Sequence, residues 1–434
     1  MSTIALKHAA LIICISLLLS LLPATRARGD DALIFNVDTT DDVKDFAINS
    51  VCSVGAATGG LCTLRAAIAE AEGNVPHTDV IINLPAGNYL LTIPPDTTND
   101  VNSGDLNIIP PFSSSYTITL NGTGTEPSVI DANQLDRVFD LGSVHITLNN
   151  IVIRGGYLEV TEAGIIGGGI RSYANLTLNQ VVIEDNTLDC GPEYCAYSSY
   201  GGGIYSGGGS LDILDSTIQR NSSPAASAIY TTSAPATLKH ATVRDNYATG
   251  SGTIYNDDTL FILNSTIVGN TSEGSAGIRN YGTLSIVSST LANSGMAANI
   301  EHSYGSVTIQ DSILYAVPDL AGISYNCFLS STELAWYSFG YNIFSDDTCP
   351  ATGTGDLIDT DPLLGELGWW GGPTMTLPLL YGSPAIDHRG DVCRYMTGAP
   401  LLEDQRYFLR NDGLCDTGAF EGFQVHVFLP LITR

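Results

Sequence analysis

The chain has 434 residues, with 45 acidic against 17 basic side chains and a formal net charge of −28 at pH 7. Such an acidic surface repels nucleic acid and anionic membranes, and no nucleic-acid partner is expected. Glycine is abundant at 45 residues while charged residues make up only 14%, a profile of β-structure interrupted by many tight turns.

Residues 1–27 read as an export signal: Lys7 and His8 form a polar start, Ala9 to Leu22 is apolar, and the small residues Ala24 and Ala27 follow. The apolar stretch is too short and too early for a spanning helix, and no later segment reaches that length. The expected location is therefore secreted, extracellular or on a bacterial cell surface. Of nine cysteines, Cys14 leaves with the signal. The other eight form close sequential pairs, Cys52 with Cys62, Cys190 with Cys195, Cys327 with Cys349 and Cys393 with Cys415. In an exported chain this spacing favours four local disulfides. Zinc is the rival reading, disfavoured because no Cys-x-x-Cys occurs and the seven histidines are scattered.

Leu33 to Val37 reads as a first strand, followed by an acidic turn from Asp38 to Asp42 and the Cys52 to Cys62 loop. A helix is predicted over Leu64 to Glu72, with Leu64, Ala67, Ile68 and Ala71 forming one apolar face. Thr63 is placed as its N-cap, but Ala66 stands where a glutamate would complete a capping box. Asp79 to Leu84 and Tyr89 to Ile93 read as strands around the turn Pro85 to Asn88, and Pro94 to Pro111 as a polar loop. Further strand patterns cover Tyr116 to Leu120, Ser128 to Asp131, Arg137 to Leu141 and His145 to Ile153.

From Gly167 one short pattern recurs: Gly-Ile, a polar turn, an alternating strand, then Ile-x-x-Asn. Copies start at Gly167, Gly201, Ser227, Gly252 and Ala276, and Ile204, Ile229, Ile254 and Ile278 follow one another at 25, 25 and 24 residues. Repetition at this period means a solenoid. Coils of about two dozen residues with about three short strands predict an all-β, right-handed, single-stranded parallel β-helix. Asn186, Asn221, Asn246 and Asn270 then superpose as a structural ladder. The columns before them run Glu184, Gln219, Arg244, Val268 and Asp185, Arg220, Asp245, Gly269, the latter alternating in sign where charged. Between Ile170 and Ile204 the spacing widens to 34, and the insertion holding Cys190 and Cys195 is expected as a surface loop suited to recognition. The expected divisions are 1–27 signal, 28–110 N-terminal cap and first coils, 111–325 β-helix repeats, and 326–434 an irregular, disulfide-bearing C-terminal module.

Three segments carry resemblances. Gly-Gly-Gly-Ile with Ile-x-x-Asn resembles the repeats of polymorphic outer-membrane proteins, which implies a β-helical passenger; the later residues do not read as a translocator barrel, so an autotransporter mechanism is not expected. Cys62-Thr-Leu-Arg-Ala-Ala-Ile68, followed by Asp79-Val-Ile-Ile-Asn-Leu-Pro-Ala-Gly-Asn-Tyr89, is similar to the CSLREA domain of bacterial secreted β-helix proteins, with Ala66 in place of the motif's glutamate. That likeness implies a helix capping the open end of the solenoid. Asp361-Pro-Leu-Leu-Gly365, Gly371-Gly-Pro-Thr374, Gly382-Ser-Pro-Ala-Ile-Asp387, Asp404-Gln-Arg406 and Cys415-Asp-Thr-Gly-Ala-Phe-Glu421 resemble the choice-of-anchor module Q of bacterial surface proteins. Trp369-Trp370 and Leu377 depart from that pattern, and Val425 to Arg434 carries no sortase-type motif.

Two functional readings follow. The first is a non-catalytic, adhesin-like or envelope-associated protein that recognises extracellular or cell-surface polysaccharide or protein as a monomer. The alternative is an extracellular carbohydrate-active enzyme, a polysaccharide lyase or glycoside hydrolase. Hydrolysis needs carboxylates converging across a groove, and the candidates are Asp257 and Asp258 on the turn after Tyr255. Their counterparts in neighbouring coils are Gly207 and Gly208, Thr232 and Ser233, and Tyr281 and Gly282, so no second acidic pair adjoins them. No cofactor is expected, and loop spacing does not indicate Ca²⁺. Arg389, Asp391, Asp404, Arg406, Arg410, Asp412, Asp416 and Glu421 are expected to pair and close the C-terminal end, with Trp336, Trp369 and Trp370 buried in that cap.

Overall fold

The computed structural model describes residues 32–422 apart from 46, 55–59, 74–77, 97–100, 111–115, 192–198, 273–276, 293–297, 317–324, 332 and 411–412. The signal at 1–27, Cys195, Asp412 and the tail at 425–434 therefore lie outside the described residues. The named strands stack in parallel into sheets of eleven, ten, nine and five strands, which makes the chain a parallel β-helix. One coil shows the pattern: Ile204–Ser206 joins the nine-stranded sheet, Leu211–Leu214 the eleven-stranded, Thr217–Gln219 the ten-stranded and Ser222–Ala225 the five-stranded. The middle coils thus hold four strands where the sequence reading expects three. The extra strand follows each ladder asparagine in short, small-residue stretches with no clean alternation, so backbone pairing with the next coil, not side-chain pattern, defines it.

Inward positions form aliphatic columns. Ile170, Ile204, Ile229, Ile254, Ile278 and Ile300 pair in register and are fully buried, each contributing about 1.5–3 kcal/mol of burial free energy. His145 to Ile153, read as one strand, is two: His145–Asn149 and Ile151–Arg154 lie in different sheets, separated by Asn150 at φ 52°. The same one-residue corner recurs at Gln180, Asp215, His240, Asn264, Ser288 and Asp311, all with positive φ. Asn and Asp adopt this left-handed region most readily among residues with a Cβ. Behind the corner runs a hydroxyl ladder: Ser265, Ser289 and Ser312 accept from the amides of Ala241, Ser265 and Ser289 at 3.1, 3.2 and 3.2 Å.

At the opposite corner the four repeat asparagines are buried and stacked. Asn186, Asn221 and Asn246 each donate Nδ2 to the Oδ1 of the next, at 2.9, 3.0 and 2.9 Å, and the same Oδ1 also accepts the donor residue's backbone N–H. In the column beside them Arg220 pairs with Asp185 and Glu184.

Helix α1 spans Leu64–Glu72, and Thr63 Oγ1 accepts from the Ala66 amide at 3.1 Å. It is buried on more than the one apolar face expected. Arg65 reaches Asp42 and the carbonyls of Val101, Gly104 and Asp105, while Glu70 accepts from the Asn49 and Ser50 amides. Segments covering the helix from outside supply these partners. Among the described residues three disulfides close, Cys52–Cys62, Cys327–Cys349 and Cys393–Cys415; the expected pairing of Cys190 with Cys195 lies outside the described residues.

The C-terminal module does more than close the end. It turns back along the one-residue corners, with Gly418 donating to Asp311 O, Gln405 held by Thr266 and donating to Ala241 O, and Tyr407 OH donating to Asp215. Its charges pair as Arg389–Asp311, Arg394–Asp391, Arg406–Asp404 and Arg410–Glu421. Trp369 and Trp370 are not buried there: they are 63% and 47% exposed. A strap lying on an already closed flank has one face to solvent, and these two indoles occupy that face. Among the described residues no helix is long and apolar enough to cross a membrane.

Candidate functional site

The three-residue strands of the nine-stranded sheet point their middle residue outward. In chain order this outward column reads Asn107, Asp140, Arg171, Tyr205, Tyr230, Tyr255, Arg279, Glu301 and Phe328. In the coils of Arg171, Arg279 and Glu301 the following turn supplies a tyrosine instead, Tyr173, Tyr281 and Tyr304. Six consecutive coils therefore carry one tyrosine each, and the rings meet. Centroids are 6.1 Å apart for Tyr173–Tyr205, then 5.3, 5.2, 5.3 and 5.5 Å through Tyr230, Tyr255, Tyr281 and Tyr304. Tyr200 stacks beside Tyr230 at 4.6 Å. Gly207 makes room for this row, since a Cβ there would lie 2.5 Å from the Tyr205 ring.

Each ring contact adds about 0.5–1.5 kcal/mol beyond its burial, which favours the packed row. Burial pushes the Tyr200, Tyr205, Tyr230 and Tyr255 phenols above their ordinary value, which keeps those hydroxyls un-ionised at any physiological pH. The Arg279 guanidinium lies over the Tyr255 and Tyr281 rings at 5.6 and 5.2 Å and pairs with Glu301 at 3.2 Å. Arg171 pairs with Asp140.

The two carboxylates singled out in the sequence sit on the rim of this row. Asp257 is exposed and accepts from the Tyr230 hydroxyl at 3.4 Å; Asp258 is half-buried, its amide bonded to Asn256 Oδ1 and its carbonyl to the Thr283 amide. Backbone register places Thr232 and Tyr281 in the adjoining coils. Among the described residues, no three His, Cys, Asp or Glu side chains are arranged to hold a metal ion.

A second polar group escaped the sequence reading. Asp105, Asp140, Arg137 and Asn107 are nearly fully buried at the start of the same column, and Arg137 approaches Asp105 and Asp140 at 3.4 and 3.7 Å. These residues come from coils that precede the regular period, so no repeat marks them. Burial pushes the Asp105 carboxyl up to about 7 despite Arg137, with Asp136 and Asp140 adding to the rise. The folded state then holds a proton that the unfolded chain releases near pH 4, and stability falls as pH rises from about 4 to about 7. Asp105→Asn is expected to remove that slope. Urea midpoints at pH 5 and pH 8 check it, and an unchanged difference between them counts against this assignment.

On the far flank, Trp369 and Pro373 of the strap form a shallow cleft with Asn150, Gln180, Asp215 and Thr217. No protein family and no curated protein matches the chain. Among solved structures it is similar to "Crystal structure of pectate lyase Pel9A", at 14% identity and a TM-score of 0.39, over 91% of this chain and 98% of that one. The strand register above describes the fold independently of that likeness.

Proposed function

We propose that this protein is a secreted or cell-surface, non-catalytic β-helix that works by presenting its flank as a recognition surface for an extracellular polysaccharide or protein. The observation carrying this reading is the unbroken row of one tyrosine per coil from Tyr173 to Tyr304. Its strand and turn positions trade places to keep the row continuous, which the hydrophobic interior does not require. An export signal, local disulfides and the likeness to CSLREA and choice-of-anchor Q segments support a place outside the cell. The CSLREA-like helix serves as the N-terminal cap, and the module Q-like segment as a strap that stiffens the far flank.

The purified mature protein, offered acidic and neutral polysaccharides and cell-surface extracts, is expected to be retained without releasing new reducing ends or unsaturated products. Turnover abolished by Asp257→Ala with Asp258→Ala overturns this reading in favour of a carbohydrate-active enzyme.

A further inference from the structure

Building on that recognition role, we infer that the tyrosine row binds a neutral, linear polysaccharide lying parallel to the solenoid axis, about one sugar per coil. The geometry of the row comes first. It is essentially one ring wide and six coils long, a shape that fits a single extended chain. A globular partner needs a broad patch of about 800 Å² on each side. Coils rise by about 4.8 Å, and an extended run of pyranose rings advances by close to one coil per sugar, so register is kept along the row. A polypeptide strand, at about 3.3 Å per residue, misses each next coil by about 1.5 Å and comes back into step only at every second coil, so it cannot place one residue on every tyrosine.

Chemistry selects the class of sugar. Each phenol carries a hydroxyl with donor and acceptor capacity, part of it engaged where Tyr230 donates to Asp257 and Tyr281 accepts from Arg279, beside an apolar ring edge, which is the pairing that a sugar's hydroxyls and C–H faces match. Most of the ring faces cover one another within the stack. Tyr304, 65% exposed, and Tyr173, 40% exposed, leave more ring open at the two ends for stacking on a sugar. The charges along the row are engaged internally, Arg171 with Asp140 and Arg279 with Glu301. On the rim Asp257 is exposed and Asp258 half-buried, on a chain of net charge −28. Uronate and sulfated polymers are repelled by that field, while uncharged ones are not. Because the rings are already packed, little side-chain freedom remains to be lost on binding.

The test is affinity electrophoresis and calorimetry of the full mature protein with hydroxyethyl cellulose, galactomannan, polygalacturonate and alginate. A neutral polymer is expected to retard the protein, and the polyanions are not. Affinity for the matching neutral oligosaccharides should rise with length and level off near six sugars. Replacing Tyr205, Tyr230 and Tyr255 together by alanine should weaken binding at least tenfold with the β-sheet circular dichroism unchanged. The corresponding Tyr→Phe triple, which keeps the stack and removes hydroxyls, guards against misfolding and should lose part of that affinity. Binding of polygalacturonate in place of neutral polymers overturns the neutral class but leaves the recognition role standing, as does retention of a protein ligand alone. Neutral binding lost in Trp369→Ala and kept in the tyrosine variants moves the site to the strap cleft and overturns the inference. Polymer cleavage overturns the recognition role itself.

Discussion

Replacing Asn246 by alanine should destabilise the solenoid by about 3–5 kcal/mol, because it strips partners from several buried groups at once. Asn246 Oδ1 accepts both the backbone and side-chain N–H of Asn221, and its Nδ2 donates to Asn270 Oδ1 and to the carbonyls of Ile218 and Arg244. Asn246 is fully buried, so water cannot replace these bonds without opening the corner. The lesion falls mid-rod, where each coil is held mainly by its neighbours. Guanidinium unfolding measures the loss, and hydrogen exchange should show the Asn221 and Asn246 amides deprotected before those near helix α1. Asn246→Asp should cost more at pH 7, since a carboxylate would face three oxygens, and recover on acidification when it can donate one hydrogen bond. A loss below about 1 kcal/mol for the alanine variant would mean the corner closes without the ladder.

Asp404→Ala should release the strap. Asp404 and Arg406 have no exposed side-chain surface, and the carboxylate accepts from Arg406 Nε, from its own strap's amides at Arg406 and Phe408, and from the Glu421 amide. Removing it strands a guanidinium sandwiched against Phe420 and Phe408, a change that costs about 3–5 kcal/mol when the charge stays buried. The easier escape is for the strap to lift. Limited proteolysis should then cut within 362–422 while the sheets stay protected. Asp404→Asn with Arg406→Met, which removes both charges and keeps an acceptor oxygen for the Arg406 and Phe408 amides, should restore much of the protection. Equal protease resistance of the alanine variant and the parent would show that Gln405 and the Cys393–Cys415 bridge hold the strap without this pair.

Much of the rod is readable from its residues. The isoleucine period sets coil length, the Ile-x-x-Asn copies mark the ladder corner, and Thr63 with the spacing of Leu64, Ala67, Ile68 and Ala71 locates α1 within the bounds observed. These signals are local or strictly periodic. The hydroxyl ladder left a trace in Asp215-Ser216-Thr217, Asn264-Ser265-Thr266 and Ser288-Ser289-Thr290 that a search for aliphatic and asparagine columns passes over. The tyrosine row is only half periodic: Tyr205, Tyr230 and Tyr255 recur with the isoleucines, but Tyr173, Tyr281 and Tyr304 occupy the next turn, and only the folded corner brings both sets into one line. Nor does any pattern mark the path of the strap. Its partners, such as Thr266 with Gln405 and Asp215 with Tyr407, are separated by 139 and 192 residues, and no repeat fixes their register.

The one-residue corners have a consequence for how this molecule can vary. From repeat isoleucine to ladder asparagine the path takes 16 or 17 residues in each of the four coils that hold both, Ile170 to Asn186, Ile204 to Asn221, Ile229 to Asn246 and Ile254 to Asn270. A corner made of a single left-handed residue has no slack to absorb an insertion. The return from asparagine to the next isoleucine takes 8 residues in three coils but 18 between Asn186 and Ile204. Among these four coils nearly all the difference in length thus falls in one seam, and that seam feeds directly into the strands that bear the tyrosines. The rod can lengthen, shorten or decorate the edge of its recognition stripe without disturbing a single buried column.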